Sequence, residues 1–70
     1  MKISARNVLK GTVVEVTKGA TTAHVRIDVG GGTIITASIT NESVDELKLE
    51  KGKKAYAVIK ASSVMVGVEH

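Results

Sequence analysis

The chain has no cysteine, no proline, no phenylalanine and no tryptophan, and its only aromatic residue is Tyr56. Each absence removes a class of protein. Without cysteine there is no disulfide framework and no zinc–thiolate site. With a single aromatic side chain, the bases of a single-stranded nucleic acid have almost nothing to stack on. No apolar run approaches the roughly 20 residues that span a bilayer. Met1-Lys2 and the mixed segment after it lack the apolar core of a signal peptide, so the expected compartment is the cytoplasm, with no membrane contact. Two histidines, His24 and His70, cannot build a metal cage. No acid pair and no nucleophile–base pattern marks a catalytic centre. The expectation is a binding protein without a cofactor, not an enzyme.

Seventy residues make one domain. A chain this short buries a modest share of its surface and is marginally stable alone. Disulfides, a structural metal or oligomerisation are the usual remedies. The composition excludes the first two and leaves association with further copies. The core must be aliphatic. The net charge of +3 is mild. Lys48, Lys51, Lys53 and Lys54 alternate with Glu46 and Glu50, the pattern of a solvated face and not of a nucleic-acid patch.

Glycine does the punctuation. Val8 to Thr17 is rich in β-branched residues and reads as a long strand, and Lys18-Gly19-Ala20 as a turn. In Thr22 to Val29, Ala23, Val25, Ile27 and Val29 alternate with His24, Arg26 and Asp28, which predicts a strand with one buried and one wet face. Gly30-Gly31-Gly32 tolerates positive φ and predicts a hairpin into a third strand, Thr33 to Thr40. No GK[ST] follows these glycines, so they are not a phosphate cradle. Asn41 is a candidate helix cap, and Ser43 with Glu46 has capping-box spacing. A helix of one to two turns is expected there. Lys51-Gly52-Lys53 reads as a turn, Lys54 to Lys60 as a fourth strand and Ser63 to Val68 as a fifth. Three strands, a short helix and two strands suit an all-β, five-stranded OB-like barrel, with an SH3-like barrel as the alternative.

Two segments are dense in hydrogen-bond donors. Ile3-Ser4-Ala5-Arg6-Asn7-Val8-Leu9-Lys10-Gly11 holds a hydroxyl, a guanidinium and a carboxamide within four residues. Val58-Ile59-Lys60-Ala61-Ser62-Ser63-Val64-Met65 adds a cation and two hydroxyls. Taken singly, Ser4, Asn7, Ser62 and Ser63 have an ordinary explanation in bonds to nearby backbone. Taken together, the segments read as two halves of an anion site, since guanidinium grips oxyanions through paired N–H groups. Neither segment contains a carboxylate. A protonated phosphate needs an acceptor, so such a site disfavours it. Sulfate has no proton, and only its smaller size can count against it.

The strings ISARNVLKGTVVEV, KGATTAHV and AVIKASSVMVGVE resemble the molbindins, small bacterial molybdate- and tungstate-binding proteins, over essentially the whole chain. The same module occurs in molybdate-responsive regulators and in transporter ATPase subunits. The resemblance implies an OB-like barrel, a strand-exchanged hexamer (a trimer of dimers), and molybdate or tungstate as ligand, stored or buffered inside the cell. It implies that Ser4, Ala5 and Arg6 of one subunit and Lys60, Ala61 and Ser62 of its neighbour bind the anion, with Ala5 and Ala61 acting through backbone N–H. It also implies a second class of site near a threefold axis, to which Gly19, Ala20, Thr22 and Ser38 are candidates. Lys18-Gly19-Ala20-Thr21-Thr22 also reads simply as a hairpin turn. His24, on the polar face of its strand, reads as a surface or interface residue. Two other functions stay open at this point: an OB-type module for single-stranded nucleic acid, and a molybdate-sensing regulatory subunit acting on a separate partner.

Overall fold

The longest run of strand formers becomes the longest strand. In the computed structural model, which describes residues 1–70, the elements are β1 (Asn7–Lys18), β2 (Thr22–Asp28), β3 (Ile34–Thr40), α1 (Asn41–Glu46), β4 (Lys54–Ile59) and one 3-10 turn, η1 (Ala61–Ser63). The strands form a single antiparallel sheet in the order β3-β2-β1-β4. β1 serves two partners: Asn7 to Thr12 pair with β4, and Thr12 to Lys18 pair with β2. The sheet curls about this shared strand, and the architecture is all-β and OB-like with one short helix.

Two local features let β1 bend. The register slips between Val13 and Glu15, where Val13 opposes Ile27 and Glu15 opposes Arg26, so Val14 is the extra residue of a β-bulge. The bulge switches the phase of the strand. Val13 points into the core before it and Val16 packs against the core after it. The second feature is Gly11. A Cβ there would lie 2.4 Å from the Asp28 carbonyl oxygen and 2.7 Å from Ile27 Cγ2. Only glycine lets β1 pass this close to the end of β2 as it turns toward β4.

The core is small: Val13, Ala23, Val25, Ile27, Val44 and Ala57 are the six buried residues. β2 follows its sequence pattern, with Ala23, Val25 and Ile27 buried and His24 and Arg26 exposed. The hairpin between β2 and β3 runs through Gly30, Gly31 and Gly32, all at positive φ. The Asp28 carboxylate accepts from the Gly30 N–H at 2.8 Å and closes the loop's first turn.

The helix starts one residue earlier than its cap was expected. Thr40 is the N-cap, its hydroxyl accepting from the Ser43 N–H at 3.0 Å. Asn41 instead donates from its side chain to the Gly19 carbonyl at 2.9 Å. At the other end Leu49 N–H bonds to the Val44 carbonyl and Lys48 N–H to that of Asp45, the paired bonds of a Schellman motif. Lys48 holds its left-handed position at φ 53°. Lys53 donates to the Leu47 carbonyl, and to that of Lys48 at 3.2 Å, while Lys54 donates to Thr12 Oγ1 at 3.0 Å. Two of the lysines read as a solvated run are therefore structural.

The fifth strand expected over Ser63–Val68 does not form within the chain. After η1 the backbone has no ladder partner, and Met65, Val66 and Val68 are 93%, 91% and 85% exposed. The sheet consequently stays open on one side. A groove of roughly 610 Å³ remains there, lined by apolar side chains including Val25, Ile27, Ile35, Ile39, Leu49 and Ala57.

Two substitutions test these backbone constraints in opposite directions. Gly11→Ala forces β1 off the Asp28 carbonyl and is expected to cost about 1–3 kcal/mol, as overpacking does. Lys48→Gly relieves a left-handed residue with a Cβ and is expected to stabilise by roughly 1 kcal/mol. Chemical denaturation of both variants checks the pair, and equal midpoints would refute both assignments.

Candidate functional site

The β1–β4 ladder ends at the pair Asn7↔Ile59. Carried one step further, the antiparallel register sets Arg6 against Lys60. The Ser4–Arg6 and Lys60–Ser62 segments therefore leave the sheet side by side at one end of the molecule. Asn7 fastens this end, its side chain donating to the Ile59 carbonyl at 3.2 Å. That is the ordinary backbone-satisfying role weighed for Asn7 from sequence. Within one chain the two segments thus adjoin the same end of the ladder.

Locally the second segment folds as a tight turn. Lys60 is the N-cap of η1 in extended conformation, with Ser63 N–H bonded to its carbonyl at 2.8 Å and Val64 N–H to that of Ala61 at 3.2 Å. The N–H groups of Ala61 and Ser62 stand at the open end of this turn, where helical geometry offers them no acceptor. Ser4, Arg6, Lys60, Ala61 and Ser62 are exposed and Ala5 is half-buried. The chain's two ion pairs use other cations: Lys18 with Asp45 at 2.6 Å and Arg26 with Glu15 at 3.6 Å. Arg6 and Lys60 keep their charge unpaired within the chain. Hydroxyls, free amides and two unopposed cations on one rim can surround a tetrahedral dianion with donors alone.

The second cluster lies at the far end of β1, and the structure divides its members. The Gly19 N–H is committed to the Thr22 carbonyl at 2.7 Å, and the Gly19 carbonyl receives the Asn41 side chain. Asn41 N–H closes on the Thr21 carbonyl at 2.9 Å, and Asn41 Oδ1 is buried with no partner. Gly19 is therefore a turn residue with no amide to spare. Ala20 is exposed at the tip. Thr22 and Ser38 lie on the wet face of the sheet, Thr22 opposite Thr40 and Ser38 opposite His24. The cross-strand register thus inserts His24 into the group. Sequence alone carried no signal for this, because the pairing of His24 with Ser38 depends on where the triple-glycine loop closes.

A family model described as "TOBE domain" matches residues 3–66. The chain is 58% identical over 69 residues to a "Probable molybdenum-pterin-binding protein" of Haemophilus influenzae, covering 99% of this chain and 100% of that protein. Among solved structures, a molybdate-binding protein from Sporomusa ovata superposes with a TM-score of 0.90 at 43% identity, covering 97% of this chain and all of that one. The cytoplasmic molybdate-binding protein ModG, solved with molybdate bound, superposes with a TM-score of 0.94 at 49% identity, covering 99% of this chain and 49% of that one. The matched span takes in both donor segments and the curled sheet between them, and by it the chain belongs to the TOBE-domain family, in the molbindin group its motifs resemble.

Proposed function

We propose that the protein binds molybdate or tungstate reversibly and serves as an intracellular store or buffer for the oxyanion, without catalysing a reaction. The observation that carries this reading is the end of the β1–β4 ladder, where Arg6 and Lys60 flank the last pair, Asn7↔Ile59, with no carboxylate in either segment. Ser4, Ala5 and Arg6 supply one side of the anion's shell, and Lys60, Ala61 and Ser62 the other. The molybdate-bound relative and the molybdate-binding neighbour support the choice of ligand.

The proposal includes a second copy of the chain. The groove beside β3 and β4 is apolar, and residues 64–68 of the same chain do not line it. Residues 64–68 of another copy, added as a fifth strand, fit it. Burying an apolar side chain of this size contributes roughly 1.5–3 kcal/mol. Met65, Val66 and Val68 together therefore supply an amount comparable with the ~5–15 kcal/mol that holds a whole domain folded. Exchange in both directions closes two barrels at once, and three such dimers give the proposed hexamer. In that assembly Ser4, Ala5 and Arg6 of one subunit and Lys60, Ala61 and Ser62 of its neighbour form one anion site, so the ladder end of each copy contributes to two such sites.

Three expected outcomes check the proposal. Molybdate raises the melting temperature more than phosphate does at equal concentration and ionic strength, because a ligand of the folded state stabilises it by about 2.7 kcal/mol at a hundredfold excess over Kd. Identical shifts for the two anions would sink the donor-only argument. Arg6→Ala and Lys60→Ala each weaken molybdate binding by roughly ten- to a hundredfold, as loss of one charge-assisted bond of about 1.5–3 kcal/mol requires. Calorimetric titration reads this directly, and parental affinity in both variants would place the site elsewhere. Finally, co-refolding the two variants regenerates a fraction of tight sites if each site draws on two chains. No recovery would assign both halves to one chain.

A further inference from the structure

Alternation sets the outer face of the β1–β4 ladder. Along β4, Lys54, Tyr56 and Val58 are exposed while Ala55, Ala57 and Ile59 are covered. Residues paired across an antiparallel ladder share a face. Val8 therefore stands beside Val58, Lys10 beside Tyr56 and Thr12 beside Lys54. Val8, Val58 and Tyr56 are 42%, 40% and 50% exposed. They form an apolar centre two strands wide. Lys10 and Lys54 bound it on one side, and Arg6 and Lys60 follow beyond the valines on the other. Single exposed valines are ordinary in a folded protein. Three apolar side chains in cross-strand register, bracketed by cations, make a patterned surface.

Nothing in the chain neutralises this strip. Both ion pairs lie elsewhere. Lys54 donates to the Thr12 hydroxyl at 3.0 Å, and the Lys10 ammonium has no partner within the chain. One carboxylate adjoins the strip by register, Asp28 opposite Thr12, and the Gly30 N–H engages it at 2.8 Å. Lys10, Thr12 and Lys54 also line a groove of roughly 470 Å³ that continues to Asp28 and Gly30, so this end is concave. From Lys54 to Lys60 the strip runs about 20 Å at ~3.3 Å per residue, the reach of an extended segment of about six residues.

We propose that this face docks an extended acidic segment of another protein, with carboxylates at its two ends and apolar side chains between them. Charge selects this occupant over a second copy of the same face. A two-fold self-contact sets cations against cations in either orientation, which opposes association. A nucleic-acid strand needs several rings on which to stack its bases, and the strip has one. Tyr56 supplies a central aromatic anchor of the kind that dominates binding energy at interfaces. The inference goes beyond molybdate binding and meets it at one end. A partner carboxylate at Arg6 and Lys60 occupies the cations that hold the dianion, a consequence that rests on the molybdate-binding reading. Partner and anion then oppose one another, each to the same degree. A partner of this kind unloads the store as it docks.

Calorimetric titration of the intact protein with a capped peptide, two glutamates at each end of three valines, tests the docking. The same peptide with glutamines for the glutamates is the control. The parent is expected to bind the acidic peptide roughly tenfold or more tighter than the control. Lys10→Gln and Tyr56→Ser are each expected to weaken the acidic peptide about tenfold and to leave molybdate affinity unchanged. Saturating molybdate is expected to weaken it several-fold. Equal affinity for the two peptides, no loss in either variant, or no effect of bound molybdate overturns the proposal. So does a change of assembly size in either variant by native mass spectrometry, which would make this face a contact between copies. A single-stranded oligonucleotide that outcompetes the peptide overturns it as well. Failure of the molybdate-binding reading has a different signature: the parent then binds no molybdate, while its Lys10-dependent hold on the peptide remains.

Discussion

One strand with two partners is the constraint on which the structure depends. β1 must leave β2 and join β4 without a break, and a regular strand cannot do so. The bulge at Val14 turns the side chains through half a period, and Gly11 lets the backbones approach where a Cβ would collide. The consequences reach both ends of the strand. At its start, pairing with β4 draws Arg6 toward Lys60. At its finish, pairing with β2 draws Thr17 against His24, and through β3 against Ser38. The two candidate sites are the two ends of β1.

The chain's cations are distributed accordingly. Lys18 and Arg26 spend their charge on Asp45 and Glu15, and Lys53 on the carbonyls at the end of α1. These pairs are half-exposed and contribute little to stability, on the order of 0–1 kcal/mol each. Their larger effect is to remove positive field from the flanks of the sheet. What remains beside a concentration of hydroxyls and free amides is Arg6 with Lys60.

Much of this was legible in the sequence, and the exceptions are informative. The alternation in Ala23 to Ile27, the triple-glycine hairpin and the short helix were readable because each depends on neighbours a few residues away. The OB-like order followed from them. The cap was placed on Asn41 when Thr40 holds it, because both residue types cap well and the choice is made by Gly19, whose carbonyl claims the Asn41 amide. The bulge was invisible because Val13, Val14 and Val16 all suit a strand in either phase. His24 is exposed, as its place in the alternation predicts, while its neighbours Thr17 and Ser38 are defined by register and not by spacing. The composition of Ser63–Val68 predicts a fifth strand that the chain does not form, because nothing local states which edge such a segment pairs with. Within one chain it pairs with none.

That last point joins the assembly to the ligand. Ser62 stands two residues before Val64, where the exposed tail begins. In the proposed assembly the same 3-10 turn presents Ala61 and Ser62 to the anion and sets the direction in which residues 64–68 depart. The same assembly converges Arg6 and Lys60 on one site, and without an anion their repulsion opposes the arrangement that exchange requires. A dianion reverses the sign of that term. It also fixes a turn whose conformational freedom would otherwise be lost on exchange without compensation. On the proposed reading ligand binding and strand exchange would favour one another, and by linkage each would strengthen the other to the same degree. A chain with only six buried side chains would gain from such coupling what its own small core does not provide.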